Sequence, residues 1–265
     1  MLAQPVDFFA RMVHGRRQGR KLLLLLDYDG TLVEIAPRPE VATPAPGLLR
    51  LLARLINRLD YAVVVVSGRP LQNLLTLLPI PGLNYLGSHG GEGLIFGQPF
   101  HSTYGKSAPE DISGWKKQLA GLMAHLTGWW IEDKPQGFVL HYRQASPGQE
   151  DQLLKIIETW KAQVTDHSSY QILPGKKVVE VLPSGVNKGE AIQKILLSRD
   201  FIGYFPLYIG DDITDETVFA VIQPQGLSFK VGEAEQPTKA THFLENPAQV
   251  REFLAVLAAQ GEEKA

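Results

Sequence analysis

The stretch Leu22-Leu23-Leu24-Leu25-Leu26-Asp27-Tyr28-Asp29-Gly30-Thr31 decides the fold. Five consecutive leucines match a strand buried on both faces, the pattern of a parallel sheet enclosed between helix layers. The run stops at a carboxylate. Two further apolar runs also end in polar residues, residues 62–66 in Ser67-Gly68-Arg69 and residues 207–209 in Gly210-Asp211-Asp212. Between the first two, Leu48, Leu49, Leu51, Leu52, Leu55, Ile56 and Leu59 recur at helical spacing and supply the crossover that a parallel pair requires. In open α/β sheets, ligands bind beyond the carboxyl ends of the strands, so the three polar ends are expected to converge on one crevice. The fold class expected is α/β, with a doubly wound parallel sheet.

The middle of the chain reads differently. Residues 129–134 and 138–143 flank Pro135-Gln136-Gly137 as a predicted hairpin, followed by a helix near 151–164 and a strand near 176–182. That is an α+β insert, placed at 108–183, and it is expected to cap the crevice. Beyond Ser184 an amphipathic helix with Ala191, Ile192, Ile195 and Leu196 resumes the α/β pattern. The core is therefore read as discontinuous, 1–107 and 184–265.

The whole-chain numbers exclude several classes. A length of 265 residues, 44% hydrophobic and 20% charged, is that of an ordinary globular protein rather than a disordered or fibrous one. Twenty-six basic against 28 acidic residues, a net charge of -2, provide no electrostatic reason to bind nucleic acid or an anionic membrane, so neither is expected as a partner. Zero cysteines exclude disulfides, thiolate metal sites and thiol nucleophiles, and suit a cytoplasmic location. Arg16, Arg17, Arg20 and Lys21 before the leucine run superficially resemble a signal peptide, but the run is shorter than the ~7–15 apolar residues such a segment needs. The basic cluster is expected to be a solvated face.

Two carboxylates, Asp27 and Asp29, stand two apart at a strand end, where period-two geometry points both the same way and Tyr28 elsewhere. At about 4 Å and an effective dielectric near 20 they would repel by ~4 kcal/mol, which a cation would offset. An acidic turn with local Asx hydrogen bonds is the structural alternative. A calcium loop is excluded, because glycine is at the fourth rather than the sixth position and Arg38 stands where the closing glutamate belongs. Gly210-Asp211-Asp212-Ile213-Thr214-Asp215-Glu216 adds four carboxylates; Asp212 as N-cap with Asp215 and Glu216 in the first turn accounts for some, but not for Asp211 beside Asp212. Hard oxygen donors on two strand ends suit Mg2+. Lys188 opens a helix, where the dipole disfavours a cation unless an anion lies nearby. Ser67 can offer a hydroxyl and a backbone N–H to a phosphoryl oxygen. The glycine-rich Gly87-Ser88-His89-Gly90-Gly91-Glu92-Gly93 misses a dinucleotide fingerprint by one position and reads as a loop, and none of the seven histidines has a metal-ligand spacing.

Taken together, these segments resemble the haloacid dehalogenase-like phosphotransferases: residues 27–31 look like the first motif, 66–69 the second, Lys188 the third and 210–216 the fourth, in order and in strand context. Gly210-Asp211-Asp212-Ile213-Thr214-Asp215-Glu216, Glu132-Asp133-Lys134 with His141-Tyr142-Arg143, and Lys176-Lys177-Val178-Val179-Glu180-Val181 are further similar to the trehalose-6-phosphate phosphatases. The resemblance spans most of residues 22–232 and implies a Rossmann-like core. It further implies Asp27 as nucleophile forming an aspartyl phosphate, Asp29 as general acid and base, and Ser67 and Lys188 on the phosphoryl oxygens. Mg2+ would be held by Asp27, the Asp29 backbone carbonyl and Asp211, with Asp212 and Asp215 in or just beyond the first ligand layer. Gly68, Arg69, Glu132, Lys134, His141, Arg143, Lys176 and Glu180 would bind the sugar phosphate, against the structural alternative of a salt bridge within the insert for Glu180. A sugar-phosphate substrate and functional coupling to a trehalose-6-phosphate synthase follow. The alternatives are a phosphatase of glucosylglycerol phosphate, sucrose phosphate or mannosyl-3-phosphoglycerate, a phosphomutase, and a non-catalytic regulatory domain.

Overall fold

The computed structural model describes residues 6–101, 112–134, 137–164, 169–175, 177–233 and 237–260. The chain divides into two compact units, Met1–Ser102 with Asn187–Ala265, and Thr103–Val186.

The larger unit holds an eight-stranded sheet. In chain order its strands are β1 (Lys21–Asp27), β2 (Tyr61–Val66), β3 (Asn84–Gly87), β4 (Glu92–Ile95), β5 (Gln98–His101), and, after the four strands of the smaller unit, β10 (Tyr204–Gly210), β11 (Leu227–Val231) and β12 (His242–Leu244). Their order across the sheet is β12-β11-β10-β1-β2-β3-β4-β5, parallel from β12 to β3 and antiparallel through β4 and β5. The leucine run lies at the centre, and successive leucines enter opposite layers. Leu22, Leu24 and Leu26 pack with helices α1 (Val6–Arg17), α2 (Pro46–Ile56) and α8 (Pro247–Ala259), whereas Leu23 and Leu25 pack with α6 (Lys188–Leu197) and α7 (Glu216–Ile222). Burial on both faces explains why the run shows no polar alternation.

Helix α2 begins with Pro46, whose missing N–H costs nothing at a helix start, and buries Leu48, Leu51, Leu52 and Leu55. It stops at Ile56, so the expectation that Leu59 belongs to its apolar face is corrected: Leu59 is 94% exposed in the turn before β2. The basic cluster is more than a solvated face. Arg17 donates to Asp60 at 2.8 Å, Arg17 and Arg58 stand over the Tyr61 ring, and Arg20 stands over Phe205.

The smaller unit is a four-stranded antiparallel sheet of order β6-β7-β9-β8, from β6 (Trp130–Lys134), β7 (Gly137–His141), β8 (Tyr170–Gly175) and β9 (Val178–Pro183). Phe138, Leu140, Val179 and Val181 join Leu119 of helix α4 (Ile112–Leu122) and Leu153, Ile157 and Trp160 of helix α5 (Pro147–Val164) in a separate core. Helix α3 (Leu71–Leu77) follows the end of β2 in the larger unit.

Leu24 is fully buried and Leu59 is not, which makes a direct comparison possible. Leu24→Ala should lower stability by about 2–5 kcal/mol, read from the urea midpoint and slope, while Leu59→Ala should stay within about 0.5 kcal/mol of the parent.

Candidate active site

Strand order brings the polar ends together. Because β1 lies between β2 and β10, Asp27 stands opposite Val66, one residue before Ser67, and Leu26 stands opposite Ile209, two residues before Asp211. Past Asp27 the chain turns at Gly30, which has φ 79° and sits so close to Asp211 that a Cβ would overlap its carboxylate. Only glycine satisfies both constraints. Tyr28 is buried and its hydroxyl donates to the Ala42 carbonyl at 3.0 Å; burial, opposed by Arg69, pushes this phenol up to about 12.

Helix α6 carries Lys188 in its first turn, with Asn187 as N-cap accepting from the Glu190 N–H. The Lys188 ammonium donates to Asp27 Oδ1 and to Asp215 Oδ1, each at 2.7 Å. Burial opposes its charge, but Asp215 and Asp27 hold it above the usual lysine range. Asp215 is completely buried: Oδ1 also accepts from the Tyr208 hydroxyl at 2.6 Å and Oδ2 from the Asp212 N–H at 2.9 Å. Burial would raise its carboxyl, and Lys188, Tyr208 and that N–H bring it below the ordinary value. Asp27 goes the other way, because burial and the carboxylates of Asp215 and Asp211 outweigh Lys188.

Asp27, Asp211 and Asp215 each offer an oxygen within 4.8 Å of the others. Asp27 and Asp215 share the Lys188 ammonium, Asp211 adds a third buried carboxyl beside them, and oxygen donors of this kind suit a hard divalent cation. Asp215 has both oxygens committed to Lys188, Tyr208 and a backbone N–H, whereas Asp27 accepts from Lys188 through Oδ1. The side chain of Asp212 caps the following turn through the Ile213 N–H at 2.7 Å, and Lys230 donates to its carbonyl at 3.2 Å.

Asp29 has a different partner. Arg69 grips it with two parallel bonds, Nε to Oδ2 at 2.6 Å and Nη2 to Oδ1 at 2.7 Å, while Nη1 donates to Asn73 Oδ1 at 2.9 Å. Ser67 Oγ accepts from the Arg69 N–H at 3.1 Å, and the expectation that the Ser67 N–H faces a phosphoryl oxygen is corrected, because that N–H donates to the Leu86 carbonyl at 2.9 Å. Sequence reasoning did not foresee this fork, nor the part played by Tyr208; the one signal for the latter was a hydroxyl inside an otherwise apolar strand.

In the smaller unit the expected sugar-binding residues divide by face. Register sets Trp130, His141 and Val178 in one row across β6, β7 and β9, and Glu132, Val139 and Glu180 in another, so these share one face while the core residues occupy the other. Lys134 Nζ contacts Glu132 Oε1 at 2.6 Å, and His141 Nε2 lies 2.8 Å from Glu132 Oε2. The His141 ring stacks on Trp130 at 4.5 Å. Burial raises the Glu132 carboxyl, but His141 and Lys134 bring it down to about 2. Arg143 follows β7 and is half-buried. Lys176 lies outside the described residues.

With this geometry in place, a trehalose-phosphatase family model matches residues 25–248, from the end of the leucine run to the start of α8. The chain belongs to the trehalose-phosphatase family. Members of this family are phosphoric monoester hydrolases. Trehalose-6-phosphate phosphatase of Escherichia coli (strain K12) is 33% identical over 250 residues, covering 92% of this chain and 89% of that protein. Trehalose-phosphate phosphatase of Mycobacterium marinum is 29% identical over 245 residues, 89% of this chain, and the chain spans 61% of that relative's length. Among solved structures, the C-terminal domain of C. albicans trehalose-6-phosphate phosphatase matches with TM-score 0.85 and 25% identity, covering 94% of this chain and 96% of that one. The α/β core expected from the motifs is thus the fold of this trehalose-phosphatase chain. None of its described helices is long and apolar enough to cross a membrane.

The Glu132 triad makes acid sensitivity a test of the geometry. A depressed folded-state carboxyl contributes stability that is complete above its unfolded value of about 4.5 and is lost as pH falls toward 2. Between pH 5 and pH 3 the parent should therefore lose more stability than Glu132→Gln, measured as the shift in urea midpoint of each protein.

Proposed function

We propose that this protein hydrolyses trehalose 6-phosphate to trehalose and orthophosphate, with Mg2+ and through an aspartyl phosphate on Asp27. The observation that supports this most directly is the buried Asp27–Lys188–Asp215 contact beside Asp211, in a chain of the trehalose-phosphatase family. Asp27 attacks phosphorus in line; the bond to the sugar oxygen breaks and Asp29 protonates that oxygen. Asp29 then takes a proton from water as the water attacks the same phosphorus, releasing orthophosphate and restoring Asp27. Asp27 and Asp211 would hold Mg2+ with the Asp29 carbonyl, and Asp212 and Asp215 would support that set. When bound, the ion screens the nucleophile from the phosphate charge. Ser67 and Lys188 position the phosphoryl oxygens.

Arg69 holds both oxygens of Asp29, so proton delivery requires that fork to open. A substrate phosphate offers Arg69 a replacement anion of matching geometry, which fits its assignment, with Gly68, to substrate binding. Glu132, Lys134, His141, Arg143, Lys176 and Glu180 would recognise sugar hydroxyls. A non-catalytic regulatory role predicts loss of the nucleophile or of its partners, yet Asp27, Asp29, Lys188 and Asp211 are all in place. A trehalose-6-phosphate synthase would supply the substrate, in the cytoplasm.

Asp27→Asn keeps the shape but cannot attack phosphorus, so phosphate release should fall by more than 100-fold, as roughly expected for loss of a covalent nucleophile. Chelation should abolish turnover, Mg2+ should restore it, and Ca2+ should do so poorly because it takes more oxygen ligands at longer distances. Undiminished activity after dialysis against excess EDTA would remove the metal from this reading.

Glu180 separates recognition from chemistry. Glu180→Ala should lower kcat/KM for trehalose 6-phosphate by about 10- to 100-fold and leave a small aryl phosphate far less affected. Equal losses for the two substrates, with a lower melting temperature, would assign Glu180 to a structural ion pair.

A further inference from the structure

The glycine-rich segment after β3 takes no part in the chemistry above, yet its backbone is unusual. Ser88, His89 and Gly90 have φ of 48°, 54° and 87°, three consecutive residues in the left-handed region. Residues with a Cβ avoid that region, and such a run persists only where its surroundings hold it. Those surroundings are the second motif. Ser67 donates its N–H to the Leu86 carbonyl at 2.9 Å, Ser88 donates to the Arg69 carbonyl at 2.8 Å, and His89 donates to the Ser67 carbonyl at 3.0 Å. Glu92 Oε1 fastens the base of the turn by accepting from Ser88 Oγ at 2.7 Å and from the Leu71 N–H at 3.0 Å.

The turn also has two tight sides. The buried His89 ring lies against Gly68, where a Cβ would stand 2.5 Å from Nε2. On the opposite side Gly90 abuts α6: a Cβ there would overlap that of Ala191, in the turn of helix that begins at Lys188. One three-residue turn therefore contacts both the Ser67–Arg69 segment and the helix that presents Lys188.

We propose that Ser88-His89-Gly90 is a spacer that sets the separation of Ser67 from Lys188, with His89 as a positioning residue for the phosphoryl-binding turn. This rests on the reading of Ser67 and Lys188 as the groups that hold phosphoryl oxygens. Left-handed backbone suits such a part because it reverses the chain within three residues and leaves little slack between two packed elements. A wider gap would weaken the grip on every phosphate ester equally, whatever the sugar.

The test uses His89→Asn in the full chain, because asparagine tolerates left-handed backbone and only the ring is lost. kcat/KM for trehalose 6-phosphate and for p-nitrophenyl phosphate should fall by the same factor, about 10-fold or more, and the Kd of orthophosphate, measured by calorimetry in Mg2+ buffer, should rise comparably. Ala191→Val approaches the spacer from α6, should act in the same sense, and decides the matter if His89→Asn does not fold. A merely structural loop would lower the melting temperature and leave both kcat/KM values and the orthophosphate Kd of the folded protein at parental levels, which would overturn the inference. Ser67→Ala is the reference. If it keeps parental orthophosphate affinity, the phosphoryl-site reading itself fails; if it loses affinity while His89→Asn keeps it, the spacer alone is wrong.

Discussion

The interaction on which the rest of the candidate site depends is the buried ammonium of Lys188 between Asp27 and Asp215. Burial opposes a lysine charge, and so does its place in the first turn of a helix, where the peptide dipoles present their positive end. Both penalties are offset only by the two carboxylates at 2.7 Å. Removing either partner would leave a buried charge uncompensated, at a cost of about 3–5 kcal/mol. The same contact ties together the end of β1, the start of α6 and the segment after β10, so it sets the geometry as well as the charge of the centre.

The sheet makes that contact possible. Asp27 and Lys188 are 161 residues apart in the chain, yet β1 lies between β2 and β10, which delivers three strand ends to one place. Gly30 allows the closest approach, because its missing side chain is what admits the Asp211 carboxylate. The result is a cluster of three buried carboxyls, two of them on one ammonium. A hard cation is the simplest completion of such a set.

The smaller unit follows a different logic. Its sheet has one face committed to the core around Phe138, Leu140, Val181 and Trp160, which frees the other for Trp130, Glu132, His141 and Glu180. The charges on that face are already organised: Glu132 uses one oxygen for Lys134 and the other for His141, whose ring Trp130 supports. A carboxylate held by two partners presents few conformations.

The sequence alone determined the leucine strand, the two runs that flank it in the sheet, and the polar residues that end each of them, because burial on both faces erases polar alternation and a carboxylate after such a run has few structural uses. It also determined the order of the four phosphotransferase-like segments. Tertiary structure decided the pairings. Arg69 meets Asp29, Tyr208 meets Asp215 and His89 lies on Gly68 through packing of segments up to 40 residues apart, and nothing in the local pattern of either partner encodes the other. It also ended α2 at Ile56, where helical spacing continued to Leu59, since a periodic apolar residue joins a helix only if there is a core for it to face. Short edge strands such as β5 and β12 were decided in the same way: three or four residues carry too little pattern to be read locally and exist because a neighbouring strand offers them hydrogen bonds.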